Sequence, residues 1–196
     1  MVILDFEEAR VLGCLIEKSM TTPEYYPMTV SALIAACNQT TNRLPIVDFG
    51  ESTVQGALAS LDRRGLIGVT RVPGGRALKY AHHARTTLRV DDEQATLLAV
   101  LLLRGPQTAA ELRARTERYT AFASIQAAEQ RLEDLMGRDE PLVERMPREP
   151  GQKENRYRCL LVEAGSTADQ ATSLEERVAA LEEALQQVLR RLDGEE

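Results

Sequence analysis

The sequence contains few of the residues that build common catalytic and metal sites. It has no Trp, five Tyr, three Phe, three Cys and two His. Cys14, Cys37 and Cys159 are odd in number and far apart, so they predict neither a disulfide framework nor a zinc site. His82 and His83 are adjacent, and adjacent side chains on a strand point to opposite faces and cannot chelate one ion together. The chain also lacks GxSxG, P-loop and GxGxxG motifs. We therefore expect no enzyme activity, no bound metal and no cofactor.

Long apolar runs are absent as well. The longest, ATLLAVLLL at residues 95–103, is far shorter than the roughly 20 residues that a membrane helix needs. The first residues, MVILDFEEAR, lack the basic start and cleavage site of a signal peptide. Hydrophobic residues still make up 43% of the chain, which suffices for packed cores. We expect a cytoplasmic protein without a membrane partner.

Acidic and basic residues are unevenly distributed. The net charge is −6, and residues 163–196 account for all of it with 3 basic and 9 acidic residues. Residues 63–90 contain seven Arg or Lys and no carboxylate, whereas residues 1–62 contain 8 acidic and 3 basic residues. This asymmetry indicates a basic segment that could contact phosphates.

The chain repeats one order of elements, three helices followed by a β-hairpin. In the first copy, residues 5–20, 29–38 and 52–64 have helical patterns, and Asp5 with Glu8 predicts a capping box. Residues 66–72 and 76–83 predict two strands around a Pro-Gly-Gly turn. Cys14, which lies in the first helix, is expected to be buried in the core of the domain.

The second copy begins at residue 91. Helices are predicted over 91–105, 108–116 and 124–138, the first stopped by Gly105, and a hairpin over 141–163. The inward-facing residues of the last helix are expected to be Ile125, Ala128, Leu132, Leu135 and Met136. Tyr80 and Tyr157 occupy matching places in the second strands of the two hairpins.

Three helices and a hairpin are the winged-helix arrangement, an elaborated helix-turn-helix. The predicted fold class is mainly α with small β-hairpins (α+β). The domains are a first winged helix at 1–88, a second at 89–163, a linker at 164–173 and a C-terminal amphipathic or coiled-coil helix at 174–193.

The C-terminal helix is predicted from a heptad repeat of apolar residues, which is typical of a coiled coil. Such a seam would make the protein a homodimer, although folding back onto the chain's own domain is an alternative. The seam consists of Leu174, Val178, Leu181, Leu185, Val188 and Leu192.

Several stretches together resemble the YceH family, bacterial proteins of uncharacterised function with tandem winged-helix domains. They are EARVLGCLIEK (8–18), TTPEYYP (21–27), ALIAACNQTTNRLPIV (32–47), LLLRGPQTAAELRART (101–116) and PLVERMPREPGQKENRYRCLL (141–161). The resemblance covers about residues 5–162. It implies the tandem winged-helix fold and no particular activity.

Two functions fit these patterns. One is a DNA-associated regulator whose first domain contacts duplex DNA, since the third helix of a winged helix enters the major groove and the wing contacts the backbone. The other is a protein-interaction scaffold without nucleic-acid binding, which suits the mixed charge of the second hairpin and the acidic third helix of the second copy. The candidate nucleic-acid-binding residues are Arg43, Gln55, Arg63, Arg64, Arg71, Arg76 and Lys79.

The stretch ACNQTTNRLPIV (36–47) joins the second and third helices of the first copy. We expect a structural turn in which Asn38 and Asn42 bond backbone groups. Ile46 and Val47 are expected to form a short strand beside the wing. Arg43 is placed where a helix-turn-helix commonly meets a phosphate.

Overall fold

The computed structural model describes residues 2–71, 77–148 and 154–162. Within these ranges the chain forms seven α-helices and five short strands, so the predicted mixed α+β class is confirmed. The helices are α1 (Phe6–Thr21), α2 (Val30–Cys37), α3 (Glu51–Arg63), α4 (Ala84–Thr87), α5 (Asp92–Arg104), α6 (Ala109–Thr116) and α7 (Ile125–Met136). The strands are β1 (Ile67–Arg71), β2 (Leu78–His82), β3 (Gln107–Thr108), β4 (Val143–Arg145) and β5 (Arg156–Cys159).

Side-chain caps define where most helices begin. Asp5 accepts a hydrogen bond from the Glu8 amide and the Glu8 carboxylate accepts one from Asp5, which confirms the predicted capping box of α1. Thr29 caps α2, and Thr108 forms a capping box with Glu111 at α6. These contacts satisfy amides that have no partner within the helix.

The two predicted copies have matching topology. In each, a short segment just before the second helix pairs with the last strand of the hairpin. Met28 pairs with Tyr80 in an antiparallel bridge, and Gln107 of β3 pairs with Tyr157 of β5. We call residues 4–82 the first unit and residues 92–162 the second unit.

Two local predictions are wrong. Residues 46–50 form no strand, because Met28 takes the place beside β2 that was expected for Ile46 and Val47. Ile125 is 36% exposed instead of inward-facing. It is the first residue of α7, so its side chain precedes the turns of the helix that place Ala128 and Leu132 in the core.

The first helices of the two units pack closely against each other. A side chain at Gly13 of α1 would meet Leu103 of α5, with a Cβ only 2.9 Å from the Leu103 Cγ. The Leu44 amide donates to the Leu103 carbonyl at 2.9 Å. Leu4 forms a parallel bridge to Val162 at the other end of the second unit. The units therefore share one continuous apolar core.

Some predicted features lie outside the described residues. These are the turn of the first wing, including Arg76, the linker at 164–173 and the heptad helix at 174–193 with its six seam residues. Among the described helices, none is long and apolar enough to cross a bilayer.

Candidate nucleic-acid interface

Helix α3 presents a polar face built largely from small residues. Ser52, Gly56 and Ala59 are exposed, while Val54, Leu58 and other apolar residues of α3 are buried. A helix face without bulky side chains can approach another surface closely.

Two candidate residues extend from this face of α3. Gln55 is exposed, and its amide nitrogen donates to the Glu51 carboxylate at 2.8 Å. Arg63 is exposed at the last turn of the helix. Both side chains are therefore accessible at the positions that the sequence predicted.

The two cationic candidates in the described part of the β1–β2 hairpin lie on opposite faces. Arg71 pairs with Leu78, and Lys79 pairs with Thr70 one position along. Because side chains alternate along a strand, Arg71 and Lys79 point to opposite sides of the ribbon. Arg71 is exposed and Lys79 is half-buried.

The face that carries Arg71 is partly apolar. Val69, Leu78 and Tyr80 share it with Arg71 by their register. Val69 is 44% and Leu78 is 41% exposed, whereas Tyr80 packs against the core. The hairpin thus extends beyond the core with two apolar side chains uncovered in the described part of the chain.

Two basic residues of the 63–90 stretch are engaged within the fold. Arg64 donates to the Ile3 carbonyl at 2.7 Å and lies 3.6 Å from the Glu8 carboxylate. Arg85 forms an ion pair with Asp92 at 3.1 Å. The sequence predicted Arg64 as a phosphate ligand, and the structure gives it a second role, tying α3 to the N-terminal segment.

Arg43 corrects the expectation from the helix-turn-helix pattern. It is 3% exposed. Its guanidinium donates to both carboxylate oxygens of Glu17, at 3.1 and 2.6 Å, and to the Ala36 carbonyl at 3.0 Å. Its donors already have acceptors and no path to solvent, so Arg43 is a structural residue that fastens the turn to α1 and not a phosphate ligand.

Sequence reasoning also missed Arg10, which is fully buried in α1. It donates to the Cys37 carbonyl at 3.0 Å and to the Pro45 carbonyl at 2.6 Å, and lies over the Phe6 ring. With Arg43 it satisfies backbone acceptors of the 36–47 segment, where Asn38 bonds both backbone groups of Phe49. The only feature of the sequence that indicates the burial of Arg10 is its position within the apolar stretch of α1.

The second unit presents a different third helix. Its exposed acidic residues are largely paired, Glu133 with Arg145 at 3.2 Å and Asp134 with Arg131 at 3.2 Å. Arg131 also pairs with Glu93 at 2.6 Å. Arg131 and Arg145 are thus occupied by carboxylates, while Arg138 donates to the carbonyls of Leu88 and Arg89. Within the described residues, α7 therefore offers no unpaired cationic face.

The three cysteines lie in the interior. Cys14, Cys37 and Cys159 are all free and buried, as expected for Cys14, and burial raises the pKa of the Cys159 thiol to about 12. Within the described ranges, no group of three or more His, Cys, Asp or Glu side chains is placed to hold a metal ion.

The fold and this surface define a mixed α+β protein of two matching units, the first of which exposes helix α3, ending at Arg63, and a hairpin that carries Arg71. Residues 4–152 match the family model described as "Protein of unknown function, DUF480". The chain belongs to this family of bacterial proteins, as the resemblance in its sequence indicated, and its relatives carry the name UPF0502 protein.

Three relatives illustrate the extent of the similarity. The UPF0502 protein of Shewanella amazonensis is 41% identical over 98% of this chain and 97% of its own length. That of Geobacter metallireducens is 45% identical over 92% of this chain and 88% of its own. That of Geotalea daltonii is 48% identical over 85% of this chain and 76% of its own. These relatives support the family and assign no activity.

Proposed function

We propose that the two units are tandem winged-helix domains and that the first is a DNA-binding module of a regulator without enzyme activity. The matching bridges Met28–Tyr80 and Gln107–Tyr157 support the shared architecture, because a winged helix adds a third strand to its hairpin just before the second helix. The accessibility of Arg63 at the end of α3 and of Arg71 on the hairpin whose β1 strand contacts α3 carries the DNA-binding proposal.

The geometry suits contact with the backbone better than reading of sequence. Gln55 is the exposed side chain on α3 best suited to a base edge, where an adenine would be its partner. Small residues on the same face allow the helix axis to approach a groove. Arg71 and Lys79, on opposite sides of a narrow ribbon, can contact phosphates on both sides of a groove. Such binding weakens steeply as salt increases.

A matched pair of charge reversals tests this proposal. Arg71→Glu removes an exposed cation from the first hairpin, and Arg148→Glu removes an exposed cation from the second. Arg71→Glu should weaken binding to a duplex of any sequence by about tenfold or more and reduce the salt slope by roughly 1, measured by fluorescence anisotropy at about 50 mM salt. Arg148→Glu should leave both quantities unchanged. Equal losses, or no duplex binding by the unaltered protein, would refute the proposal.

A protein-interaction scaffold is the second candidate. It is favoured by the uncovered Val69 and Leu78 beside Arg71, since apolar side chains with an arginine are common at the centre of protein interfaces. Replacing both apolar residues by Ser should then abolish capture of a protein partner. If the surface instead binds DNA through its charges, the same double substitution should leave duplex binding unchanged.

Self-association through the heptad seam is a further part of the proposal. A seam of this length is marginal in isolation, so a second contact would assist it. Removal of residues 166–196 should convert a dimer to a monomer in sedimentation velocity. A dimer that persists after this truncation would place the interface in the two units.

A further inference from the structure

The outer edge of strand β1 is open in the first unit. Strand β2 lies in the middle of the sheet, with β1 on one side and Met28 on the other. The Met28 amide donates to the Tyr80 carbonyl at 3.0 Å, and the Tyr80 amide donates to the Met28 carbonyl at 2.8 Å. Among the described residues, no further strand pairs with β1. One edge of this sheet is therefore available to another strand.

The hydrogen-bond pattern shows which backbone groups of β1 face this edge. Along an antiparallel strand, successive residues bond alternately to one side and to the other. Because Tyr80 bonds to Met28, the backbone of Val69, which lies opposite Tyr80 on β1, points away from β2. The Leu66 carbonyl accepts from the His83 amide at 2.7 Å, in agreement with this alternation. No described residue bonds to the Val69 backbone on the outer side. The outward-facing residues of β1 are Ile67, Val69 and Arg71.

The open edge of β1 carries little protection against pairing. Edge strands of soluble proteins are usually blunted by charged residues, prolines or bulges. Strand β1 has the sequence IGVTR, so its one charge lies at the end, at Arg71. Its register with β2 is regular, without a bulge, and Val69 is 44% exposed. The strand therefore offers a regular and mostly uncharged template for a further strand.

The corresponding edge of the second unit is blunted. Strand β4 lies at the edge of its sheet, and two of its three residues are charged. Glu144 forms an ion pair with Arg158 on the neighbouring strand, and Arg145 pairs with Glu133 at 3.2 Å. The two units share a topology, but within the described ranges the first unit alone leaves an uncharged edge.

Strand β1 is complementary to a second copy of itself. In an antiparallel pair centred on Val69, the two Val69 residues lie opposite each other and exchange both backbone hydrogen bonds. Arg71 of each strand then lies opposite Ile67 of the other, so like charges do not face each other. This register uses the full length of the strand and all of its outward-facing backbone groups. The two Val69 side chains also meet on one face, which covers apolar surface that a single chain exposes.

We propose that β1 pairs with β1 of a second copy of this chain across a two-fold axis, so that the sheets of two first units become one. A two-fold contact is closed, so it satisfies the open edge without further addition of strands. Two five-residue strands bury much less than the roughly 1,600 Å² of a standard interface, so the contact acts together with the heptad seam. The inference rests on the proposed self-association and not on DNA binding. It supplies the second contact that a short seam requires.

Disulfide cross-linking tests the position of the contact. Val69→Cys places two thiols opposite each other with their Cα atoms about 5.5 Å apart, within the range of a disulfide. Oxidised glutathione should therefore convert most of this variant to a covalent dimer on a non-reducing gel. Leu78→Cys is the matched control, because Leu78 is 41% exposed on the same face but lies on β2, away from the edge. This control and the unaltered protein, whose three cysteines are buried, should remain single chains on the gel.

A charge at the same position tests the contribution of the contact to association. Val69→Lys places two like charges opposite each other in the dimer, whereas a single chain tolerates a lysine at this exposed position. It should raise the Kd for dimerisation by about tenfold in sedimentation velocity, and Leu78→Lys by less than about twofold. Equal cross-linking of the two cysteine variants, equal Kd values of the two lysine variants, or an unaltered protein that is monomeric at about 100 μM would refute the pairing.

Removal of residues 166–196 tests the heptad seam separately, because β1 remains in that variant. If the truncated protein stays dimeric and Val69→Cys cross-links, the seam fails and the β1 pairing stands. If truncation abolishes the dimer and Val69→Cys does not cross-link in the full chain, the seam stands and the β1 pairing is refuted.

Discussion

Glu17 and Arg43 form the most completely buried ion pair described in this fold. Their side chains are 7% and 0% exposed, and their closest atoms are 2.6 Å apart. Removing one partner of such a pair leaves an uncompensated buried charge. The contact joins α1 to the segment after α2, which Arg10 and the Leu44 amide also hold in place.

We expect Arg43→Met to lower the free energy of unfolding by about 3 to 5 kcal/mol. The double variant Glu17→Gln/Arg43→Met should lose clearly less than the sum of the single changes, because it leaves no unpaired charge. Urea denaturation of the four proteins measures both effects. If the losses of unfolding free energy in the two single variants add up to the loss in the double variant, the two side chains act independently. The pairing is then not the source of the stability.

His82 is the residue whose titration should make stability depend on pH. Burial lowers the pKa of its imidazole to about 4, and the nearby charges of His83 and Arg85 act in the same direction. The ring accepts a hydrogen bond from the Ala84 amide and contacts the Ser19 hydroxyl. In the unfolded chain the imidazole titrates at about 6.5.

The unfolded state therefore binds more protons than the folded state between about pH 6.5 and pH 4, and stability decreases as the pH decreases through this window. After allowance for partial solvent access, the loss attributable to His82 should be about 1 to 2 kcal/mol between pH 7 and pH 5. Urea denaturation at the two pH values should show this loss in the unaltered protein and in His83→Asn, and a smaller one in His82→Asn. Equal pH dependence in all three proteins would contradict this account.

At the scale of elements, the close approach of α1 and α5 depends on one glycine. A Cβ at Gly13 would lie 2.9 Å from Leu103 Cγ and 3.2 Å from Leu102 Cβ. Gly56 in α3 offers a matched comparison, because a Cβ there would meet nothing within 4 Å. Both glycines are within helices, so the intrinsic helix preference for Ala is the same at each.

We expect Gly13→Ala to lower the free energy of unfolding by about 1 to 3 kcal/mol, since overpacking outweighs the gain in helix propensity. Gly56→Ala should raise it by about 0.5 to 1 kcal/mol. Chemical denaturation measures both. A stabilising Gly13→Ala would mean that the helices separate easily and that the units are coupled only loosely.

Elements were more predictable from the sequence than contacts between them. Apolar periodicity and capping residues such as Asp5 and Thr29 located the helices, and the Gly65 and Gly105 stops, both with positive φ, marked where two of them end. The third strand of each unit was missed because Met28 and Gln107 pair with residues about 50 positions away, and no local pattern signals this pairing.

The candidate site was predictable only in part, for a related reason. Exposure of Gln55, Arg63 and Arg71 follows from helix and strand periodicity. The burial of Arg43 depends on Glu17, which is 26 residues earlier, and the polar cleft that Glu17 and Arg118 line forms only where the two units meet. A charge pattern cannot distinguish an arginine that faces solvent from one that fills a polar gap between helices.

On the scale of the whole molecule, the shared core predicts cooperative unfolding. The apolar cluster includes residues of both units, and ten consecutive residues of α1, from Glu8 to Glu17, are buried. Differential scanning calorimetry should therefore show one transition with equal calorimetric and van't Hoff enthalpies. Two separate transitions would show that the units are independent domains, as their repeated topology alone would suggest.

The bridge between Leu4 and Val162 also has a consequence for synthesis on the ribosome. The Leu4 amide donates to the Leu161 carbonyl at 2.6 Å, so the first residues of the fold are secured by the last described ones. The N-terminal half can form its helices while translation continues, but Leu4 finds its partner only after residue 162 has left the exit tunnel. Before that, and until α5 has emerged, the nascent chain exposes the α1 surface that α5 will cover, which makes this intermediate a natural substrate for chaperones.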